Sequence, residues 1–284
     1  MKKRILALVA VMSLSMGLFA CGGSSDSASG SGDAQASGAA VASGEASADA
    51  SADKPGAGKS YVIATDTSFR PFEYTNADNE FVGIDVDILA AIAEDQGFEY
   101  ELQSLGWDAS IAACQAGQAD GMIAGASITD ERKESGWIFS DGYYNATQCM
   151  AVAEGSDITG FDALSGQTVA VKTGTQGATY AESLKDEYGF EITYFEDSPT
   201  MYQAVTGGQC VACFEDTPIM KAYIAEDGLA LSVVDGTENE GSPYGFAVFS
   251  SDQQELIDMF NAGLANIKAS GEYDEIIAKY LGEQ

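Results

Sequence analysis

Histidine is absent from the 284 residues of this sequence, and positively charged side chains are scarce. Lysine and arginine together number 13, against 44 aspartates and glutamates, and the formal net charge is −31. Three of the cations, Lys2, Lys3 and Arg4, stand at the amino terminus, so ten remain for the rest of the chain. A chain without a basic stripe is poorly suited to nucleic acids or anionic lipid surfaces. We therefore expect no nucleic-acid partner.

Cysteine is also rare, and the lack of histidine limits what its five copies can do. Cys210 and Cys213 form a CxxC pair, but without a second pair or a histidine this pair is weak evidence for a zinc or redox site. Their odd spacing on a predicted strand would turn them to opposite faces, so we expect no local disulfide. We expect Cys114, Cys149, Cys210 and Cys213 to be small buried hydrophobic side chains, and we predict no metal and no cofactor.

The amino-terminal apolar run is short for a membrane span. Ile5–Ala20 covers sixteen apolar or small residues after a basic start, which is typical of a secretory signal peptide. The run ends Leu-Phe-Ala-Cys, which resembles the lipobox of bacterial lipoproteins, in which the cysteine carries diacylglycerol. We therefore predict a signal peptide over 1–20 and lipidation of Cys21, which would anchor the protein to the cell membrane outside the cytoplasm. Residues 21–58 are almost wholly small or acidic after that cysteine, and this composition predicts a flexible tether.

Strand-like and helix-like segments alternate from about residue 59 onward. An apolar stripe at Ile84, Ile88 and Ile92 predicts a helix that ends at Gly97. Strands are predicted at 60–65, 98–103, 119–124, 167–172, 191–196 and 210–216, and further helices at 109–117, 176–187 and 199–205. The alternation predicts an α/β fold with mostly parallel strands.

Two stretches of the sequence echo each other. Residues 116–125 and 207–216 each contain Gly-Gln, a small residue, a short apolar strand and then a helix start. This likeness suggests two lobes of similar build, with Gly125 and Asp216 at corresponding strand ends. Since ligands gather at the carboxyl ends of strands in open α/β sheets, a cleft between the lobes would collect residues from both.

Arg132 stands where a helix start disfavours a cation. If Thr129 caps the helix, Arg132 is its third residue, at the positive end of the helix dipole. An ion pair with a neighbouring acid is one explanation. The other is a guanidinium presented to a ligand carboxylate, because arginine offers two parallel hydrogen bonds there and lysine does not.

Asp216 is a candidate ligand-binding residue with the opposite charge to Arg132. Pro218 suits the first helical position and Thr217 the cap before it, which would leave the Asp216 carboxylate free at a strand end. It could simply favour the nearby helix start, or it could bind a cation. A carboxylate binder in one lobe and an ammonium binder in the other together describe a site for an α-amino acid.

A family resemblance rests on six motifs in order along the chain. They are ATDTSFRPFEY (64–74), VGIDVDILAAIA (82–93), AGASITDERKE (124–134), FSDGYY (139–144), VAVKTGTQG (169–177) and FEDTP (214–218). Together they resemble the family 3 extracellular solute-binding proteins, the polar-amino-acid receptors of ABC importers, and are similar in pattern to their glutamine- and basic-amino-acid-binding branch. The resemblance covers nearly all of residues 60–284. It implies the type II periplasmic-binding-protein fold, with two α/β lobes joined by two hinge strands.

The same resemblance implies the domain boundaries. Lobe 1 would comprise 59–142 and 245–284, lobe 2 would comprise 147–239, and the hinges would lie at 143–146 and 240–244. The protein would be a monomer that binds a small amino acid and then docks on an ABC permease complex in the membrane.

The resemblance also assigns roles to single residues. The ligand carboxylate would be held by Arg132, Ser127, Thr175 and Gln176, the ammonium by Gly125 and Asp216, and the side chain by Phe69, Trp107, Asp66, Lys172 and Glu215. Glu215 replaces a histidine of the glutamine-binding branch. With Arg132 and Asp216 assigned to the zwitterion, the remaining Asp66, Glu215 and Lys172 sum to −1, and an unpaired buried charge is costly.

The charge count favours arginine, lysine or histidine as ligand, with glutamine next. Glutamine remains open if Glu215 points away or Lys172 pairs twice. We predict a binding protein rather than an enzyme. A dehydratase of small acids on the same fold, with Glu215 as general acid, is one alternative, and a ligand-sensing receptor module is another.

Overall fold

The structure is a computed structural model that describes residues 41–43 and 54–282. In chain order the strands are β1 (Val41–Ser43), β2 (Ser60–Thr65), β3 (Tyr74–Thr75), β4 (Phe81–Val82), β5 (Glu99–Ser104), β6 (Gly121–Met122), β7 (Ile138–Phe139), β8 (Tyr144–Ala146), β9 (Gln148–Ala153), β10 (Thr168–Lys172), β11 (Glu191–Phe195), β12 (Ala212–Asp216), β13 (Leu231–Val233), β14 (Ser242–Tyr244) and β15 (Ala247–Val248). The helices are α1 (Ile84–Gln96), α2 (Trp107–Gln115), α3 (Asp130–Glu134), α4 (Gln176–Tyr188), α5 (Ser198–Thr206), α6 (Thr217–Glu226), α7 (Gln254–Ser270) and α8 (Glu272–Leu281).

Lobe 1 is built on a six-stranded sheet with the order β1-β5-β2-β6-β15-β7. Strand β2 runs parallel to β5 and β6, while β15 is antiparallel to β6 and β7. Ile63 and Ala64 are consecutive in β2, both fully buried, and belong to separate hydrophobic clusters. Because successive side chains of a strand point to opposite faces, this sheet is covered on both sides.

Helix α1 shows how the apolar stripe produces the packing. Ile84, Ile88 and Ile92 are all fully buried, and the helix ends at Gly97, which adopts a left-handed φ of 79°. Helix α7 packs directly against α1, and a Cβ placed on Gly263 of α7 would lie 2.8 Å from Ile92. The close approach of the two helices therefore requires glycine at that position.

Lobe 2 is built on a five-stranded sheet with the order β11-β10-β12-β9-β13. Strand β10 is parallel to β11 and β12, and β9 is antiparallel to β12 and β13. Val169 and Val171 pack in one cluster and Ala170 in another, so this sheet is also covered on both faces. Each lobe thus has a parallel centre, as predicted, with antiparallel strands added to it.

The chain passes between the lobes through a pair of short strands. Strand β8 leads from lobe 1 into lobe 2, and β14 leads back, so that β15, α7 and α8 rejoin lobe 1. The two strands pair antiparallel, with Tyr144 opposite Tyr244. They overlap the predicted hinge stretches 143–146 and 240–244, whose role in closure stays a prediction.

Several local expectations need correction. Strand β6 has two residues rather than six, and Cys210 precedes β12 instead of lying on it. Cys210 and Cys213 therefore share one hydrophobic cluster rather than facing opposite sides. The expectation that Cys114, Cys149, Cys210 and Cys213 are buried is confirmed, and all four are free cysteines in the structure.

A second difference concerns the predicted tether. Residues 41–43 form β1, which pairs antiparallel with β5. Backbone hydrogen bonding to an otherwise unpaired sheet edge requires no apolar side chains, so the composition of the segment does not reveal it. The signal peptide, Cys21 and the rest of the tether up to residue 53 lie outside the described residues. Within the described part of the chain, every helix falls short of the length and apolar character needed to cross a membrane.

Candidate ligand-binding site

A cavity with about 300 Å³ of empty volume lies between the two lobes. Its lining comprises Asp66, Phe69, Trp107, Ala124, Gly125, Ser127, Arg132, Lys172, Thr175, Gln176, Glu215 and Asp216. All eleven ligand-binding residues predicted from the sequence are in this set, and Ala124 is the addition. Their role in binding a ligand stays a prediction, but they line one cavity.

Arg132 is presented to the cavity by the short helix α3. Thr129 caps this helix as expected, accepting a hydrogen bond from the Arg132 backbone N–H at 3.2 Å. The guanidinium donates to the Ser127 carbonyl at 2.9 Å and, across the cleft, to the Gly174 carbonyl at 3.1 Å. It also lies 5.1 Å from the ring centroids of both Trp107 and Trp137.

The Arg132 side chain remains a cation despite its burial. The residue is only 8% exposed, and desolvation lowers its pKa to about 10, with the charge of Asp216 opposing this shift. Within the described part of the chain its side-chain hydrogen bonds go to two neutral carbonyls and to no carboxylate. A guanidinium has five N–H donors, so others remain for an anion.

Asp216 faces the cavity at the end of β12. Its carboxylate accepts hydrogen bonds from the Gln148 amide and the Tyr244 hydroxyl, both at 2.5 Å. Burial raises its pKa, while these two hydrogen bonds and the Arg132 charge act in the opposite direction. The two donors fix the orientation of the carboxylate and leave lone pairs for a ligand cation.

The predicted start of the helix after Asp216 is off by one residue. Helix α6 begins at Thr217, so Asp216 is the N-cap and Pro218 is the second helical residue. The Asp216 side chain does not cap the helix, and the Thr217 hydroxyl bonds instead to that of Thr147 at 2.8 Å. The conclusion that the Asp216 carboxylate is not used by the helix therefore stands, although the predicted cap at Thr217 is wrong.

Asp66 and Lys172 form a buried ion pair across the cleft. Asp66 follows β2 in lobe 1, Lys172 ends β10 in lobe 2, and each residue is 3% exposed. Burial lowers the pKa of Lys172, but the attraction of Asp66 and its hydrogen bond outweigh burial, so the net shift is upward. Lys172 thus balances Asp66 directly rather than Glu215.

Glu215 is turned toward the interior of lobe 2. One carboxylate oxygen accepts from the Ser198 hydroxyl at 2.8 Å and the Tyr202 hydroxyl at 2.9 Å, and the other accepts from the Asp216 N–H at 2.9 Å. Burial, together with the charge of Asp216, raises its pKa to about 7. Glu215 therefore gains or loses its charge close to neutral pH.

Gly125 allows the aromatic wall to approach the backbone. Its φ is 54°, and a Cβ there would lie 2.5 Å from Cε1 of Phe69. Because any other residue would meet both the strained φ and the ring, the position requires glycine. The Phe69 ring in turn lies 5.4 Å from the Lys172 ammonium.

Thr175 and Gln176 begin helix α4. The Thr175 hydroxyl donates to the Lys172 carbonyl at 2.8 Å and accepts from Ala178 N–H at 3.3 Å, so it is engaged within the protein. The donors that this helix offers to a carboxylate are its first backbone N–H groups, starting at Gln176. The dipole of the 13-residue helix strengthens them.

The cleft is also bridged outside the cavity. Arg70 of lobe 1 makes ion pairs with Glu226 at 2.9 Å and Asp227 at 3.2 Å, at the end of α6 in lobe 2. Beside it, the hydroxyls of Ser68 and Tyr223 lie 2.9 Å apart. These contacts hold the two lobes together at the rim.

The residues that orient the predicted site residues were not predicted from the sequence. Gln148 and Tyr244 hold Asp216, Ser198 and Tyr202 hold Glu215, and the carbonyl of Gly174 holds Arg132. These partners come from distant segments and carry no motif of their own. The antiparallel register that sets Gln148 opposite Asp216 appears only in the folded sheet.

The fold and the site together define a class of protein. Two α/β lobes joined by a strand pair enclose a small cavity that carries a buried cation from one lobe and a buried carboxylate from the other. The described residues contain no cluster of three metal-ligating side chains. This is the architecture of a two-lobed binding protein for a small polar solute.

The chain belongs to the bacterial extracellular solute-binding proteins, family 3, which it matches over residues 61–283. Its fold is the type II periplasmic-binding-protein fold. It is 30% identical, over all of its length and 97% of the relative, to a probable histidine-binding protein of Neisseria gonorrhoeae.

Many solved structures are similar to this chain, and two of them are examples. One is the second substrate-binding domain of a putative amino acid ABC transporter from Streptococcus pneumoniae, at 44% identity and a TM-score of 0.54, covering 78% of this chain and 99% of that one. The other is the arginine-, lysine-, histidine-binding protein ArtJ of Geobacillus stearothermophilus, at 32% identity and a TM-score of 0.72, covering 80% of this chain and 96% of that one. These relatives are named as binding proteins rather than enzymes.

Proposed function

We propose that this protein captures a polar L-amino acid outside the cytoplasm and delivers it to an ABC importer. The single observation that carries this proposal is the placement of Arg132 and Asp216 on opposite lobes around one cavity. Arg132 has donors to spare for an α-carboxylate, and Asp216 has lone pairs for an α-ammonium. The first turn of α4 adds N–H donors on the carboxylate side.

A basic amino acid is the first candidate for the ligand. Asp66 and Lys172 neutralise each other, while Arg132 and Asp216 would bind the ligand carboxylate and ammonium. Among the charged residues that line the cavity, this leaves Glu215. Its three hydrogen-bond donors favour the ionised form, and a cationic ligand side chain would compensate this buried carboxylate. The histidine-, lysine- and arginine-binding relatives support the same choice.

Glutamine is the second candidate, and one observation favours it. Asp66 and Lys172 form an ion pair with each other. Glu215 points into lobe 2, and its pKa is about 7. If Glu215 is protonated, the cavity carries no excess charge, and a neutral amide side chain would suit it.

Delivery to a permease needs a cycle of opening and closing. The ligand would enter an open cleft, and the lobes would close over it by bending at 143–146 and 240–244. The cross-lobe contacts of Arg132, Lys172 and Arg70 support this, because each would be broken by opening. Lipidated Cys21 would hold the monomer beside its permease and raise its effective concentration there.

Titration calorimetry with purified protein tests the proposal. We expect L-arginine, L-lysine or L-histidine to bind tightest, L-glutamine next, and amino acids with acidic side chains not at all. Binding of L-glutamine at least tenfold tighter than every basic amino acid would reverse the ranking and leave the function intact. Absence of binding for all of them, or conversion of a small-acid substrate into product, would reject the proposal.

A further inference from the structure

Two carboxyl groups lie buried directly behind the cavity wall. Glu73 and Asp85 are both 0% exposed, and neither belongs to the cavity lining. Glu73 lies in the turn after Phe69, and Asp85 is the second residue of α1. The Asp85 N–H donates to the carbonyl of Phe72, the neighbour of Glu73, at 2.9 Å, and each of the two acids shifts the pKa of the other.

The hydrogen-bond partners of the two acids are unequal. One oxygen of Asp85 accepts from the Gly125 N–H and the Tyr143 hydroxyl, both at 2.9 Å. The other oxygen of Asp85 and both oxygens of Glu73 have no N–H or O–H donor among the described residues. Buried oxygens without donors are costly, and two adjacent carboxylates repel each other, so a proton between them resolves both problems.

We propose that Glu73 and Asp85 share one proton, and that this pair is a positioning unit tying Gly125 of the cavity wall to Tyr143 at the start of the lobe crossover. Asp85 holds the negative charge, since it has two donors and stands in the first turn of a helix. Glu73 carries the proton and donates it to the free oxygen of Asp85.

The pair connects two parts of the ligand site. On one side, Gly125 faces the cavity, and the Glu73 carbonyl accepts from the backbone N–H of Phe69 at 2.7 Å. On the other side, the Tyr143 N–H donates to the carbonyl of Tyr244, whose hydroxyl holds Asp216. Hydrogen bonds thus run from the Gly125 wall, through Asp85 and the crossover, to the carboxylate assigned to the ligand ammonium.

The charges around the pair bear on its titration. Asp66 and Lys172 face Glu73 with opposite charges, while Tyr143 and Tyr273 face Asp85. Burial is the largest cause of a pKa for Glu73 well above its usual range and of a pKa of about 7 for Asp85. Both carboxyl groups bind protons more tightly in the folded protein than in the unfolded chain. Their contribution to stability therefore falls as the pH rises above their pKa values in the unfolded chain, which are about 4.

Glu73→Gln is the informative variant, because an amide donates to Asp85 at every pH. We expect the infrared spectrum of ligand-free wild-type protein at pH 8 to contain a protonated-carboxyl band that Glu73→Gln lacks and the surface control Glu238→Gln keeps. The unfolding midpoint of the wild type should fall by about 5 °C more than that of Glu73→Gln between pH 5 and pH 9. An unchanged band, or equal pH dependence in the two proteins, would overturn the shared proton.

The positioning role rests on the proposed function. It is tested by measuring the affinity of the wild type and the variants for L-arginine and L-glutamine. At pH 7 we expect Glu73→Gln to bind like the wild type and Asp85→Ala to lose at least tenfold, because Gly125 and Tyr143 lose their common acceptor. At pH 9 the ratio of Glu73→Gln to wild-type affinity should exceed its value at pH 7. Wild-type affinity in a folded Asp85→Ala would refute the positioning role. If neither amino acid binds the wild type, the proposed function fails, and the infrared and unfolding data still decide the shared proton.

Discussion

Replacing Glu215 by glutamine should weaken the binding of L-arginine and leave that of L-glutamine nearly unchanged. The substitution keeps the shape and removes a cavity-lining carboxylate that has no ion-pair partner among the described residues. Asp216 N–H can still donate to the amide oxygen, and the Ser198 and Tyr202 hydroxyls can accept from the amide nitrogen, so the fold should persist.

The size of the effect follows from one charge in a buried site. At a separation of roughly 7 Å and an effective dielectric constant of about 20, the attraction between Glu215 and a ligand cation is about 2 kcal/mol. This corresponds to a loss of about 30-fold in affinity for L-arginine at pH 8, where Glu215 is largely ionised.

The same charge predicts a pH dependence. With a pKa of about 7, the ionised fraction of Glu215 rises from about one tenth at pH 6 to about nine tenths at pH 8. L-arginine remains a cation throughout, so its association constant should rise close to tenfold over this range in the wild type and stay nearly flat in Glu215→Gln.

Titration calorimetry at pH 6 and pH 8 measures both effects. Glu238→Gln is the matched control, because it also removes one carboxylate from lobe 2 but at an exposed pair with Lys221. Equal L-arginine affinity in the wild type and Glu215→Gln at pH 8, or an equal pH slope, would refute the assignment of Glu215 to a cationic ligand.

Three further predictions concern other parts of the site. Arg132→Lys should lower affinity for every amino acid by about 10- to 100-fold in calorimetry, because lysine cannot make two parallel hydrogen bonds to a carboxylate; a loss for basic ligands alone would contradict its role. Gly125→Ala should displace the Phe69 ring and weaken binding at least tenfold, and a crystal structure with the ring unmoved would disprove the steric argument. Arg70→Ala should weaken binding about two- to fivefold, mainly through faster ligand release in stopped-flow measurements. The control Lys221→Ala, which removes an ion pair within lobe 2, should have no effect. Equal losses of affinity in the two variants would exclude a role of Arg70 in closure.

The parts of the fold that could be predicted from the sequence are those that local chemistry determines. The isoleucine stripe of α1, its end at Gly97 and the Thr129 cap need only neighbouring residues, and the structure agrees at each. The predicted strand over 119–124 is shorter in the structure. Strand β6 itself spans only Gly121 and Met122, although the flanking Asp120 and Ile123 also donate backbone N–H groups to β2, and apolar character cannot reveal where a strand ends.

The residues of the site also fall into two groups, those that the sequence could indicate and those that only the folded chain brings together. Arg132 could be singled out because it is a cation at a helix start, where the dipole disfavours it, and Asp216 because the helix after it does not need its side chain. The pairing of Asp66 with Lys172 could not be foreseen, since it joins residues 106 positions apart across two lobes. Gln148 and Tyr244 were missed because sheet register and the returning crossover bring them to Asp216.

A crystal structure of the protein with a bound amino acid tests the central claim most directly. We expect the α-carboxylate on the Arg132 guanidinium and the first turn of α4, and the α-ammonium on the Asp216 carboxylate. The ligand side chain should be directed toward Asp66, Lys172 and Glu215. A ligand bound with its carboxylate and ammonium away from Arg132 and Asp216, or outside the cavity between the lobes, would contradict it.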